Sequence, residues 1–448
     1  MKKNNVVICG AGLCGTLLAI RLAQRGVNTT LIEKRPDMRK ATVAAGRSIN
    51  LALSNRGLRA LELIGIKEEV LKSCIPMKGR MIHTTDGSQR FSHYSGRASN
   101  QINSVPRGGL NMTLLDKAET YDNLTLLFDT PCQSISINDD EVVLVCGKGQ
   151  DTQTLQPDAV IGADGAGSSV RKSMSDSHHF TVSQDFLSHG YKELTIPPGP
   201  DGSFLLDQNA LHIWPRGQFM VIALPNPDGS FTVTAFFPNE GPNSFAYLNS
   251  EERVTDFFEE YFAGLLPYCP DYLEDYFKNP VGRLGTISCA PWQVGGRVVL
   301  MGDAAHAIVP FYGQGMNASF EDVVVFDQLL DQYSDDWSKL LEAFSKQRKP
   351  NADAIAALAL DNFYEMQDHV IHPGFVKKRK LEMQLEKNYP DYHSKYSLVT
   401  FCDHIPYSIA KELGRKQDQL LLELCAGEDS LSLDSVISKV NSLKQLYL

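Results

Sequence analysis

The sequence predicts an α/β protein: a discontinuous Rossmann-like dinucleotide-binding domain, a mainly antiparallel β-sheet domain, and a C-terminal helical region. Three observations predict it. A glycine-rich turn lies between two short apolar runs at the start of the chain; alternating apolar runs at 219–224 and 231–237 flank a Pro-Asn-Pro-Asp-Gly turn; and an Ala/Leu/Glu/Lys-rich stretch begins near residue 350.

The first unit is read from Val6-Val7-Ile8-Cys9, a β-branched run that enters Gly10-Ala11-Gly12-Leu13-Cys14-Gly15 and then a helix-like segment over 16–25. A second strand over 29–32 ends in Glu33, about 20 residues after the glycines. Gly10 permits the tight turn, Gly12 lets the backbone approach a pyrophosphate, and Gly15 lets helix and strand pack closely. The helix start offers free N–H groups to phosphate. Glu33 suits the adenosine ribose hydroxyls and disfavours a 2′-phosphate, which points to FAD or NAD here rather than NADP.

Downstream, Asp158-Ala159-Val160-Ile161-Gly162-Ala163-Asp164-Gly165 runs into Ala166-Gly167-Ser168-Ser169-Val170-Arg171, a buried strand entering a turn and a helix. Arg297-Val298-Val299-Leu300-Met301-Gly302-Asp303-Ala304-Ala305-His306 repeats the pattern and ends on Asp303. Next comes Pro310-Phe311-Tyr312-Gly313-Gln314-Gly315-Met316-Asn317, whose backbone N–H groups at a helix start can stabilise negative charge on a bound ring. His306 reads as a structural histidine at a helix entry. There is no second G-x-G-x-x-G for a separate nicotinamide domain.

Composition narrows the class of partner. With 448 residues and 43% hydrophobic content the chain can bury a large core in two or three domains. A formal net charge of -10 gives no general attraction to nucleic acid or anionic membrane, so a small-molecule partner fits best. The nine cysteines form no C-x-x-C pair and no zinc spacing, which indicates neither a disulfide framework nor a metal site and suits a cytoplasmic compartment. Glycines interrupt the apolar run after Met1-Lys2-Lys3, against a signal peptide, and no apolar stretch reaches the about 18 residues of a membrane span.

Taken in chain order, the three glycine- and aspartate-bearing motifs resemble the class A flavoprotein aromatic hydroxylases, related to p-hydroxybenzoate hydroxylase. Longer segments narrow the resemblance to the kynurenine 3-monooxygenases within that family. They are Gly46-Arg47-Ser48-Ile49-Asn50-Leu51-Ala52-Leu53-Ser54, Ile75-Pro76-Met77-Lys78-Gly79-Arg80-Met81-Ile82-His83, His189-Gly190-Tyr191-Lys192-Glu193-Leu194-Thr195-Ile196-Pro197-Pro198 and His212-Ile213-Trp214-Pro215-Arg216, with the run over 302–317. The resemblance spans nearly the whole chain. It implies tightly held FAD and a visiting NADPH. Cofactor contacts are implied at Gly10, Gly12, Leu13, Cys14 and Gly15, at Ile32, Glu33, Lys34 and Arg35, at Ala52, Arg107 and Cys132, and at Asp303, Gly315, Met316 and Asn317.

Substrate contacts are implied at Arg80, Tyr94, Asn362 and Tyr396, with an Arg suited to a carboxylate and Tyr and Asn to help it. Phe236 and Phe237 are candidates for an apolar ring slot, although strand alternation turns one of them into ordinary core. The implied reaction consumes O2 and hydroxylates L-kynurenine at ring position 3, through a flavin C4a-hydroperoxide, as a step of the tryptophan/kynurenine pathway that serves either tryptophan catabolism or NAD biosynthesis. The cofactor carries that chemistry, so no catalytic side chain is nominated. The polar tail differs from the hydrophobic anchor of eukaryotic members and implies an unanchored protein; the oligomeric state, a weak homo-oligomer included, stays open.

The expected domains are a FAD-binding domain over 1–75, 100–175 and 285–345, a substrate-binding sheet over 76–99 and 176–284, and helices over 346–448. Two other readings stay open: a hydroxylase of a different aromatic acid, and a flavoprotein that does not hydroxylate.

Overall fold

The computed structural model describes residues 5–40, 50–138, 141–175, 179–333, 336–367, 372–427 and 432–445. The opening Met1-Lys2-Lys3 and the 46–49 part of the Gly46 segment lie outside them.

Runs that are apolar on both faces become central parallel strands, because helices cover both faces of such a sheet. Leu124–Leu127, Asn28–Ile32, Asn5–Cys9, Ala159–Gly162 and Val298–Leu300 lie side by side in that order, closed by the short antiparallel edge Gln293–Val294. Val6, Val7, Ile8, Val160, Ile161, Val298 and Val299 are all buried there. The sheet thus draws strands from both ends of a 300-residue span of chain. One core unites it with the helices Leu13–Gln24, Arg107–Ala118 and Gly315–Tyr333 and with the antiparallel meander of Cys132–Ile137, Val142–Cys146 and Gln153–Leu155.

The second sheet has seven strands, in the order Gly282–Ala290, Thr181–Ile196, Phe231–Pro238, Phe219–Pro225, Ala210–Arg216, Gly79–His83 and Gln89–His93. All neighbours are antiparallel except Ala210–Arg216 and Gly79–His83, which run parallel. Side chains alternate between its faces. Trp214, Val221, Val233 and Phe237 enter one core with the helix Glu251–Phe262, while Ile82, Ile213, Met220 and Phe236 enter another with Phe311, Tyr312, Phe363 and Leu398. Of the two phenylalanines weighed for the ring slot, Phe237 is therefore packed away on the far face, and only Phe236 turns toward Phe311, at 4.9 Å between centroids.

The C-terminal part is helical: Trp337–Gln367, Pro373–Asn388, Lys395–Thr400, Tyr407–Ala426 and Leu433–Lys444. Trp337–Gln367, Lys395–Thr400 and Tyr407–Ala426 pack against the inner face of the seven-stranded sheet, and Pro373–Asn388 and Leu433–Lys444 pack on Tyr407–Ala426. Among the described residues no helix is long and apolar enough to cross a membrane.

Candidate active site

The first strand delivers its chain into the glycine turn, and the three glycines play different physical parts there. A Cβ on Gly10, which sits at φ +104°, would lie 2.5 Å from the Ala163 carbonyl oxygen, and one on Gly15 would lie 2.0 Å from the Gly10 carbonyl oxygen. These two are filled by protein. A Cβ on Gly12 would meet nothing within 4 Å, so this is the face left open for a ligand's close approach. Gly12 is also the N-cap of Leu13–Gln24, and no side chain caps that helix. Its first-turn N–H groups, those of Leu13 and Cys14 among them, are left for an anion.

Glu33 follows the second strand as a buried carboxylate; it accepts from the Ala11 N–H at 2.9 Å and from Arg35 Nε at 2.9 Å. Ile32 is buried behind it, while Lys34 and Arg35 are exposed. Arg107 opens its helix next to the turn, exposed and without a hydrogen-bond or ionic partner among the described residues, and Asn111 on the same helix donates to the Ala11 carbonyl at 3.3 Å. Cys132 begins the meander close by, where the Thr130 N–H donates to the Glu33 carbonyl at 2.8 Å. Open glycine face, uncapped helix, buried acid and unpaired arginine together fit a dinucleotide.

At the other end of the cradle Asp303 starts the short helix Asp303–His306, and Gly315, Met316 and Asn317 start Gly315–Tyr333. The Asn317 side chain is fully used inside the protein: it donates to the carbonyls of Ala52 at 2.8 Å and Gly313 at 2.9 Å and accepts from the Ser54 N–H at 3.0 Å. It thereby fixes the strand Asn50–Leu53, with Ala52, against the helix start. His306 is structural in the way its setting suggests, bonded to Asp322 at 2.6 Å and stacked on Trp292 at 5.1 Å.

Between the seven-stranded sheet and the C-terminal helices lies a cavity of about 230 Å³. Arg80, from the strand Gly79–His83, stands in its wall beside a column of three tyrosine rings. Tyr94 stacks on Tyr396 at 5.5 Å and Tyr396 on Tyr312 at 5.4 Å, while the Arg80 guanidinium lies 5.0 Å from the Tyr396 ring and 5.8 Å from that of Tyr94. Arg80 Nε is buried with no hydrogen-bond partner, and Arg80 has no carboxylate partner among the described residues. The other buried cations of the wall are matched. Lys395 pairs with Asp418 at 2.5 Å and Glu365 at 3.4 Å, Lys378 with Asp418 at 2.7 Å, and Arg379 with Glu382 at 3.1 Å. A buried guanidinium nitrogen with nothing to donate to is costly unless a ligand completes it. Burial pushes the Tyr94, Tyr312 and Tyr396 hydroxyls above the ordinary tyrosine range, so all three stay protonated donors.

Asn362 does not join this wall. Its Nδ2 donates to the Phe311 carbonyl at 2.6 Å, one layer behind Tyr312, so it supports the aromatic turn. Tyr312 is the residue that the sequence reading passed over. Its only local sign is its place in the glycine-rich run before Gly315, and Lys395 and Asp418, paired from different helices, carry no sign in sequence at all.

A model of the FAD binding domain family matches residues 3–197 and 275–359, skipping the middle strands of the second sheet. Two curated relatives cover almost the whole chain. The kynurenine 3-monooxygenase of Dictyostelium discoideum is 44% identical over 96% of this chain and 95% of its own length, and that of Myxococcus xanthus is 44% identical over 95% and 92%.

The chain belongs to the kynurenine 3-monooxygenase family.

It is thus an FAD-dependent aromatic monooxygenase. Among solved structures, 2-methyl-3-hydroxypyridine-5-carboxylic acid oxygenase superposes with a TM-score of 0.67 at 20% identity, over 86% of this chain and 98% of that one, which shows a shared fold. The discontinuous cradle and the sheet over it are therefore the architecture of a flavin monooxygenase, and the cavity beside Arg80 lies where that sheet meets the C-terminal helices.

Proposed function

We propose that the protein hydroxylates L-kynurenine at ring position 3, using NADPH and O2. The observation that carries this reading is Arg80, whose unpaired buried nitrogen beside the protonated hydroxyls of Tyr94 and Tyr396 suits a single carboxylate. In the same reading Ile82 and Tyr312, with Phe236 and Phe311 packed behind them, give the aminophenyl ring an apolar side to lie against. FAD, reduced by NADPH, supplies the oxygen-transfer chemistry when bound.

The chain's own residues supply binding and position. Gly12 and the uncapped helix behind it take the pyrophosphate, Glu33 the ribose, and Asp303 the chain leading to the flavin ring. Cys132, Arg107 and the backbone of 315–317 complete the cofactor's surroundings in this proposal, and Asn362 serves the substrate through the Phe311 turn. The tyrosine column and the C-terminal helices keep water away from the reacting ring.

The test is NADPH oxidation by the FAD-loaded protein with and without L-kynurenine, with mass analysis of the product. Stimulated oxidation and a product one oxygen atom heavier are expected. Absence of both would turn the search to other aromatic acids.

A further inference from the structure

We propose that Arg56 is a positioning residue for the substrate cavity, holding the short helix that carries Tyr396 against the helix whose start faces the cofactor. Arg56 lies on the helix Asn55–Leu63, does not line the cavity, and is 1% exposed. Its guanidinium donates Nε to the Val399 carbonyl at 2.9 Å and Nη2 to the carbonyls of Leu398 at 3.3 Å, Cys402 at 3.0 Å and Ile405 at 2.6 Å. These carbonyls belong to the end of Lys395–Thr400 and to the turn that follows it. A helix end leaves such oxygens without intrahelical partners and carries partial negative charge, so one buried arginine satisfies both needs. The Tyr407 ring, 3.9 Å below the guanidinium, completes its setting.

The remaining face of Arg56 is tied to the flavin side. Its Nη1 donates to the Glu321 carboxylate, whose other oxygen accepts from Arg348 Nη1 at 2.7 Å. Arg348 Nε in turn donates to Asp322 at 2.8 Å, and the second oxygen of Asp322 accepts from the Gly302 N–H at 3.0 Å and bonds His306 at 2.6 Å. Burial alone would raise the Asp322 carboxyl, yet His306 and Arg348 hold it below the ordinary range. Two guanidinia, two carboxylates and His306 thus form one buried network from the turn before Asp303 to the carbonyls that follow Tyr396. Ser394 caps the other end of the Tyr396 helix and the Ser394 N–H donates to Glu386 at 2.9 Å. The six-residue helix is held by polar contacts at these two ends and at Lys395, while Leu398 and Val399 pack into the core beside it. A shift at the Arg56 end moves the Tyr396 ring relative to Arg80.

A lysine cannot replace this fork, because a single ammonium has three donors and no fixed geometry. The inference rests on the functional reading above, so wild-type protein is assayed alongside. Arg56→Lys keeps charge opposite Glu321 and removes the fork; Glu321→Gln keeps shape and removes the charge that aims it. Each variant is measured for FAD content by absorbance, for the KM of L-kynurenine, and for kcat per bound flavin.

The expected result is retained FAD with KM raised about tenfold in Arg56→Lys and about threefold in Glu321→Gln, kcat changing less than KM. A merely structural role would lower the yield of FAD-loaded protein and leave KM alone. Wild-type KM in a folded Arg56→Lys overturns the proposal, and if that variant does not fold, wild-type KM in Glu321→Gln overturns it instead. A wild-type protein that L-kynurenine does not stimulate overturns the functional reading, and this inference with it.

Discussion

Two glycines three positions apart make opposite demands on a substitution. At Gly15 a methyl group would be driven into the Gly10 carbonyl at 2.0 Å, whereas at Gly12 it would stand in open space. Gly15→Ala is therefore expected to lower the melting temperature of the protein whether or not FAD is present. Gly12→Val is expected to leave the apoprotein's melting temperature near wild type while abolishing FAD retention on a desalting column. A Gly12→Val protein that stays yellow would show that the pyrophosphate lies elsewhere. Arg80 gives the matching test on the substrate side. Removing a charge-assisted contact of about 1.5–3 kcal/mol should raise the KM for L-kynurenine about 10- to 100-fold in Arg80→Ala. FAD should remain bound, because Arg80 stands on the second sheet and not in the cradle. An unchanged KM would take Arg80 out of the site.

The strand Gly79–His83 that carries Arg80 is itself held by an unusual contact. His83 Nε2 lies 2.9 Å from His212 Nδ1, and His212 Nε2 lies 2.9 Å from the Asp207 carbonyl. A carbonyl only accepts, so His212 donates from Nε2, its Nδ1 accepts, and His83 is the donor of the pair, with both rings neutral. Burial, with His212 and Arg216 nearby, holds His83 at about 4, below the ordinary 6.5. The unfolded chain then binds the extra proton first as pH falls, so the contribution of this site to stability is full above about 6.5 and is lost down to about 4. His83→Gln should flatten the fall in melting temperature across that window; an unaltered slope would place the titration elsewhere. None of this was legible in sequence, because His83 and His212 meet only through the parallel pairing of two strands far apart in the chain. What was legible was local: the glycine turn, the acid that follows the second strand, and the alternation that sends Phe236 and Phe237 to opposite faces. Arg80, Tyr94 and Tyr396 came from resemblance and not from spacing, since contacts across 300 residues leave no periodic trace. The same reasoning offered Asn362 as a direct contact, and only the fold reveals that Phe311 takes up its amide.

At the scale of the molecule, the cradle is assembled from strands whose neighbours are separated by about a third of the chain, Asn5–Cys9 beside Ala159–Gly162 and Ala159–Gly162 beside Val298–Leu300. The Arg21 and Arg25 pairs with Asp327, at 2.7 and 2.5 Å, tie the first helix to Gly315–Tyr333 in the same way. A ligand that touches the first glycine turn, Glu33 and the 302–317 turns at once therefore bears on contacts that form only when the long connections have closed. Binding to the folded state alone adds about 2.7 kcal/mol when free ligand is a hundred times its Kd. FAD removal is accordingly expected to lower the melting temperature by several degrees, and added FAD to restore it in proportion to the logarithm of its concentration. Gly12→Val serves as the control, with a melting temperature that ignores FAD. If the wild-type protein also ignored it, the three segments would close without help from the cofactor, and the interlocking charges of Arg21, Arg25 and Asp327 and of Arg56, Glu321, Arg348 and Asp322 would have to hold the cradle by themselves.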